Sequence, residues 1–258
     1  MYYNKIMKYF FPILIIFFLA ISGLFLYCTI TYPATPVQTA AVYLVEHFTN
    51  QRKNLTKETY GFLPYWRVSD IPSLQLNLLS EVNYFGLTID KDGHIIKHIG
   101  NETEPGFREW QTTSMKNFLT KARIMETKVS VTIIGHDNET IETLLDSRQS
   151  QQTLVQELIE LINTNKLDGI NIDIEYLGEA DPAYREKFTE FSLYLSHQME
   201  QKTPHSNLTL SIMPLAARDD GLFDLAKLAP LYDKFIGMSY DYYGTSADIA
   251  APGAPMKG

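Results

Sequence analysis

Cysteine is almost absent from this chain of 258 residues: Cys28 is the only one, so no intramolecular disulfide can form. A single cysteine assigns no compartment. Basic residues are outnumbered, 22 Lys and Arg against 30 Asp and Glu, for a net charge of -8. No Lys/Arg cluster suits a phosphate backbone, which excludes nucleic acid as an expected partner. No glycine-rich phosphate loop follows the first strand-like run, and this weakens a nucleotide-binding reading. The six histidines are His47, His94, His98, His136, His197 and His205. Only His94 and His98 stand four apart, a spacing that suits a metal on a helix. They fall in a stretch that reads as a hairpin, with no evident third ligand, so neither a metal nor another cofactor is expected.

What is present divides at about Pro33. Residues 9–32 carry no charge and are mostly Phe, Ile and Leu. That length crosses a hydrocarbon core of ~30 Å as a helix. Lys5 and Lys8 precede it, and the next basic residues are Arg52 and Lys53. The positive-inside rule then puts residues 1–8 in the cytoplasm and everything after the span outside. The expectation is a single-pass membrane anchor, a stalk over 33–58 and an extracytoplasmic domain over 59–258. A cleaved signal peptide is the alternative, with its shorter apolar core of roughly 7–15 residues and its small-residue cleavage site. Lipid attachment at Cys28 fits less well, because bulky Tyr27 stands where a small residue belongs.

Beyond the stalk, apolar runs recur at 60–65, 82–89, 129–134, 169–174, 208–213 and 235–240. Helical spacing lies between the later ones. Leu154, Leu158 and Leu161 or Ile162 recur over 153–162, and Tyr184, Phe188, Phe191 and Leu195 over 183–199, after a helix start at Asp181-Pro182. Asp90–Gly93 suggests a local hairpin. Strands alternating with helices predict parallel βαβ units, in a doubly wound sheet or a (β/α)8 barrel. Asp173, Glu175, Tyr240 and Asp241 fall at or just past strand ends, where a barrel places its chemistry. A closed barrel needs eight strands and about 250 residues. The expectation is therefore an α/β fold of the TIM-barrel type, incomplete at about six strands.

The run 169–174 is unusual. Ile170, Ile172 and Ile174 alternate with Asn171, Asp173 and then Glu175. Alternate strand residues point the same way, ~6.5–7 Å apart, so the polar groups share a face. A buried carboxylate is costly unless paired, hydrogen-bonded or protonated. Two together resist joint ionisation, and one of the pair is expected to hold a proton near neutrality. A protonated Glu175 past the strand end suits a general acid for a glycosidic oxygen.

Residues 168–175, Asp-Gly-Ile-Asn-Ile-Asp-Ile-Glu, resemble the DGxDxDxE signature of family-18 glycoside hydrolases. Met238-Ser-Tyr240-Asp241 resembles the same family's MxYD motif, and the order of the two motifs also agrees. The resemblance implies a retaining enzyme acting on β-1,4-linked N-acetylglucosamine glycans, chitin or peptidoglycan, by a substrate-assisted route. Glu175 would be the acid and then the base. Asp173 would orient the acetamido group, Tyr240 would hydrogen-bond its carbonyl oxygen, and Asp241 would contact the sugar.

Asn171 departs from the pattern, which commonly has Asp there. An amide cannot take up a proton, although it can hydrogen-bond to Asp173 and it lowers the local charge. A shifted pH optimum is expected, and members directed at peptidoglycan and spore cortex often carry Asn here. The family's substrate floor is a tryptophan of the eighth strand, whereas the two tryptophans here, Trp66 and Trp110, are both early. Sugar stacking would then fall to Tyr65 or Trp66 and to Tyr242 or Tyr243. More ordinary roles also exist: core packing for Trp66 and Tyr240, and a purely structural Asp168 at the strand start. The rival functions are a non-catalytic, lectin-like relative, an inactive fragment, or a wall-tethered spacer.

Overall fold

The computed structural model describes residues 57–213 and 221–240. The chain divides into two units, 1–53 and 54–258. The first unit, with the expected anchor over 9–32 and most of the stalk, lies outside the described residues. Among the described residues, no helix is long and apolar enough to cross a membrane.

Six parallel strands form the main sheet: β1 (Tyr60–Pro64), β2 (Glu81–Thr88), β5 (Lys128–Gly135), β6 (Gly169–Ile174), β7 (Asn207–Ile212) and β8 (Lys234–Gly237). They pair in the order β1-β2-β5-β6-β7-β8. Strands β3 (His98–Ile99) and β4 (Glu102–Thr103) make a small antiparallel hairpin between β2 and the first helix. The connections carry helices α1 (Pro105–Trp110), α2 (Thr113–Ile124), α3 (Asn138–Asp146), α4 (Arg148–Asn165), α5 (Pro182–Lys202) and α6 (Leu225–Leu228). This is the half-barrel arrangement of six parallel strands with helices that the six apolar runs predict. Two features differ by more than a residue. The last run ends at Gly237, leaving Met238, Ser239 and Tyr240 past the strand. The turn at Asp90–Gly93 is present, but the paired segments after it are an Ile89–Ile95 bridge and the separate β3–β4 hairpin.

Helix starts follow their capping residues. Asp181 accepts a hydrogen bond from Ala183 N, Ser147 from Ser150 N, Asp137 from Thr140 N and Thr112 from Met115 N. Each satisfies a backbone donor that the helix itself leaves open. One set of strand residues packs with the helices in a single apolar core: Val129, Val131 and Ile133, then Ile170, Ile172 and Ile174, then Leu208 and Leu210. Helix α5 contributes Phe188, Phe191, Leu195 and Met199. Phe188 is fully buried, its ring 5.0 Å from that of Phe223 and 6.4 Å from that of Phe191. Phe188→Ala removes the ring from a site with no solvent to refill it. It should destabilise by ~3–5 kcal/mol, read as a lower denaturant midpoint at unchanged slope. A loss below ~1 kcal/mol would mean the pocket collapses around the alanine.

The other set of strand residues is polar although buried: Glu81, Asn83, Ser130, Thr132, Asn171, Asp173, Thr209 and Ser211. Most of them bond to one another or to Tyr60 across the strands. Asn83 Nδ2 donates to Tyr60 Oη (2.9 Å), Thr132 Oγ1 to Asn83 Oδ1 (3.0 Å), Thr209 Oγ1 to Asn171 Oδ1 (2.9 Å) and Asn171 Nδ2 to Ser211 Oγ (2.8 Å). Such a lattice is tolerated inside a fold because its members are hydrogen-bonded. Glu81 is the strained member. Burial raises its pKa, and its Oε2 has no partner among the described residues while Oε1 accepts from Ser130. Burial likewise pushes the Tyr60 phenol up to about 12.

Candidate active site

Parallel strands bring their C-terminal ends to one edge, where the loops that follow them converge. The polar lattice ends there in Asp173, whose side chain is 2% exposed, and Glu175, whose side chain is 31% exposed. Asp173 lies level with Ile134, and Gly135 with Ile174. The Glu175 backbone N–H then donates to the Gly135 carbonyl oxygen (2.9 Å), which holds the exit of β6 against the exit of β5. Beyond it, Asn138 locks the loop from both sides. Its Oδ1 accepts from Leu177 N (2.9 Å) and its Nδ2 donates to Leu177 O (2.9 Å). Tyr176 Oη donates to Glu142 of α3.

The residue after Gly135 is His136, and this geometry sets its ring beside both carboxylates. Its Nε2 is 3.5 Å from Glu175 Oε1 and 3.7 Å from Asp173 Oδ2. The Asp173 carboxylate beside it raises the imidazole's pKa above its ordinary value, against the opposing pull of burial, and Glu175 adds to the rise. Donor atoms of His136, Asp173 and Glu175 all lie within 4.8 Å of one another. The second carboxylate oxygen of Asp173, Oδ1, is buried and has no hydrogen-bond partner among the described residues.

Several expected site residues take up other positions. Asn171 does not reach Asp173: its amide is committed to Thr209, Ser211 and, at 3.4 Å, Thr132. Thr132 and Thr209 stand level with Asn171 on the flanking strands, and Ser211 is one strand repeat further along β7. Asp168 lies at the opposite end of β6, where Oδ2 accepts from Val129 N (2.8 Å) and the carbonyl accepts from Asn207 N (2.7 Å). It is a strand clamp. Asp233 repeats the device before β8, accepting from Leu208 N at 2.7 Å. The motif's Gly169 is required because a Cβ there would stand 2.7 Å from the Asn207 carbonyl oxygen.

Met238 is buried just past β8, and Tyr240 is 55% exposed at the same edge as Glu175. Asp241, Tyr242 and Tyr243 lie outside the described residues. Trp66 is 59% exposed rather than core. Its ring meets Tyr65 (4.8 Å between centroids) and Phe85 (6.1 Å), and Phe85 meets Phe62 (6.4 Å). These rings form an aromatic ledge on β1, β2 and the residues just past β1, to which sequence reasoning assigned neither Phe62 nor Phe85.

The sequence pattern of glycosyl hydrolases family 18 matches residues 41–258, most of the chain and the whole of this site. The chain belongs to that family. The match begins within the stretch expected to be a stalk. Among proteins similar to this family-18 chain, a putative chitinase 1 from Margaritifera margaritifera is 27% identical over 114 residues, 42% of this chain and 24% of that protein. A chitinase from Bacteroides thetaiotaomicron shares the fold with a TM-score of 0.63 at 18% identity, over 78% of this chain and 58% of its own. The Bacillus cereus spore cortex-lytic enzyme SleL shares it with a TM-score of 0.59 at 14% identity, over 76% and 44%. The chain thus spans well under two thirds of the length of each of these relatives.

Of the groups at the acid pair, His136 is the one that sequence reasoning missed. A signal existed: it stands just past an apolar run, two residues after Ile134, much as Glu175 follows Ile174. Its neighbours come from a strand elsewhere in the chain, so local spacing does not expose them.

Proposed function

We propose that this protein is a retaining glycosidase that hydrolyses β-1,4-linked N-acetylglucosamine glycans, chitin or peptidoglycan, by substrate-assisted catalysis. One observation carries the reading. Asp173 is buried beneath Glu175 at the strand edge, and among the described residues its Oδ1 has no partner. An N–H of an acetamido group is a donor of the kind that atom lacks, and a carboxylate oxygen without a donor is costly to bury. Relatives described as chitinases and as a spore cortex-lytic enzyme support the substrate class.

In this reading Glu175 gives its proton to the glycosidic oxygen as the bond from that oxygen to the anomeric carbon breaks. The acetamido oxygen of the same sugar bonds to that carbon, and the Asp173 carboxylate stabilises the positive charge of the oxazolinium that forms. Water then adds to the carbon from the vacated side and gives a proton back to Glu175. The bond to the acetamido oxygen breaks, and two inversions amount to retention. Tyr240 and Asp241 are assigned to the acetamido carbonyl and the sugar, and the exposed Trp66 ring to stacking. The test is product release by the full chain from a chromogenic N-acetylglucosamine oligomer and from its 2-hydroxy counterpart. Release from both would sink the substrate-assisted route.

We also propose that residues 9–32 anchor the chain with this site outside the cell. Protease added to intact cells should then remove the domain, and full protection would reverse the orientation.

A further inference from the structure

We propose that His136 is a positioning residue of this site: its imidazolium stands between Asp173 and Glu175 and supplies the charge balance that the amide of Asn171 cannot provide by taking up a proton. The proposal rests on the glycosidase reading for its effect on turnover.

Three observations converge. First, Asn171 is fully engaged with hydroxyls of the neighbouring strands and makes no bond to Asp173. Second, among the described residues, His136 is the one cationic group within 4.0 Å of either carboxylate, and it reaches both, at 3.5 and 3.7 Å. Third, the backbone on both sides of His136 is held, which fixes where its side chain leaves the chain. The Glu175 N–H to Gly135 carbonyl bond fixes the residue before it, and Asp137, the residue after it, caps α3 through Thr140 N.

The charges acting on the imidazole are Asp173 and Glu175, from β6 and the residue following it. Adjacent Asp137 turns to its helix instead. The raised pKa of His136, caused first by Asp173, agrees with this arrangement. A cation here offsets the charge of Asp173 before the reaction. It also meets the negative charge that develops on Glu175 as that group loses its proton. Both effects are electrostatic, and neither requires His136 to touch the sugar.

The experiment uses the full chain in detergent and two readouts. In the first, the histidine ring signals are titrated by NMR, with His136 assigned by its disappearance in His136→Gln. Its midpoint should lie above 6.5 in the unmodified chain and fall back toward that value in Asp173→Asn. Identical titration in the two forms would overturn the pairing. In the second, kcat/KM on the N-acetylglucosamine oligomer is followed against pH. A nearby cation favours the ionised form of an acid. His136→Gln should therefore move the profile up by ~0.5–1 pH unit, the size set by a partly screened charge at this distance. His136→Lys, which restores the charge without the ring, should bring it back. A profile that stays put in the glutamine variant, or that lysine fails to return, overturns the proposal. A chain that turns over no substrate in any form would refute the glycosidase reading, and the NMR titration would still decide the pairing.

Discussion

Replacing Glu175 by Gln should lower kcat on a chromogenic N-acetylglucosamine oligomer by ~10²–10⁴-fold, the usual weight of a positioned general acid. The side chain is 31% exposed, so the substitution leaves the packing intact. The amide keeps the shape of the carboxyl and its hydrogen-bonding capacity, but has no acidic proton for the leaving oxygen. Binding of the oligomer should persist, so the loss falls on kcat more than on KM. Equal, slow release by both forms would end the enzyme reading. Oligomer binding by both forms without turnover by either would establish the lectin-like alternative.

Exchange of the substrate's acetamido group for a hydroxyl should reduce turnover by at least ~10³-fold. The nucleophile proposed here is part of the substrate, held next to the carbon it attacks. Well-oriented intramolecular groups act at effective molarities of ~10⁵–10⁸ M, an advantage that a 2-hydroxyl cannot reproduce. Asp173 sharpens the test. It is two residues from Glu175 and faces the same edge, and its buried Oδ1 would be left without a donor by the hydroxyl substrate. Unchanged rates would point instead to direct attack by a carboxylate. The two experiments fail independently, since one alters the protein's acid and the other the substrate's nucleophile.

Much of the fold was legible because period two and period 3.6 are local properties. Run 169–174 coincides with β6, and the start at Asp181-Pro182 with the first turn of α5. Helices α1, α2 and α3 were not read, although Met115, Phe118, Leu119 and Ala122 of α2 have helical spacing. Charged and polar residues between those positions thin out the apolar stripe, and packing on the sheet makes up the difference. The environment of Asn171 was misjudged for a related reason. Its sequence neighbour on the same face is Asp173, but across the sheet it meets Thr132, Thr209 and Ser211, and hydrogen bonds follow space.

Alternation along residues 169–175 determined, without further help, a strand with two carboxyls and an amide on one side, since adjacent strand residues must face opposite ways. Tertiary structure decided that both faces of that strand are buried. It also decided that Asp168 serves the far end, and that His136 is the group that meets the acids. Those outcomes depend on which strands are neighbours and in what register. Pairing β5 beside β6 joins residues that no local periodicity connects.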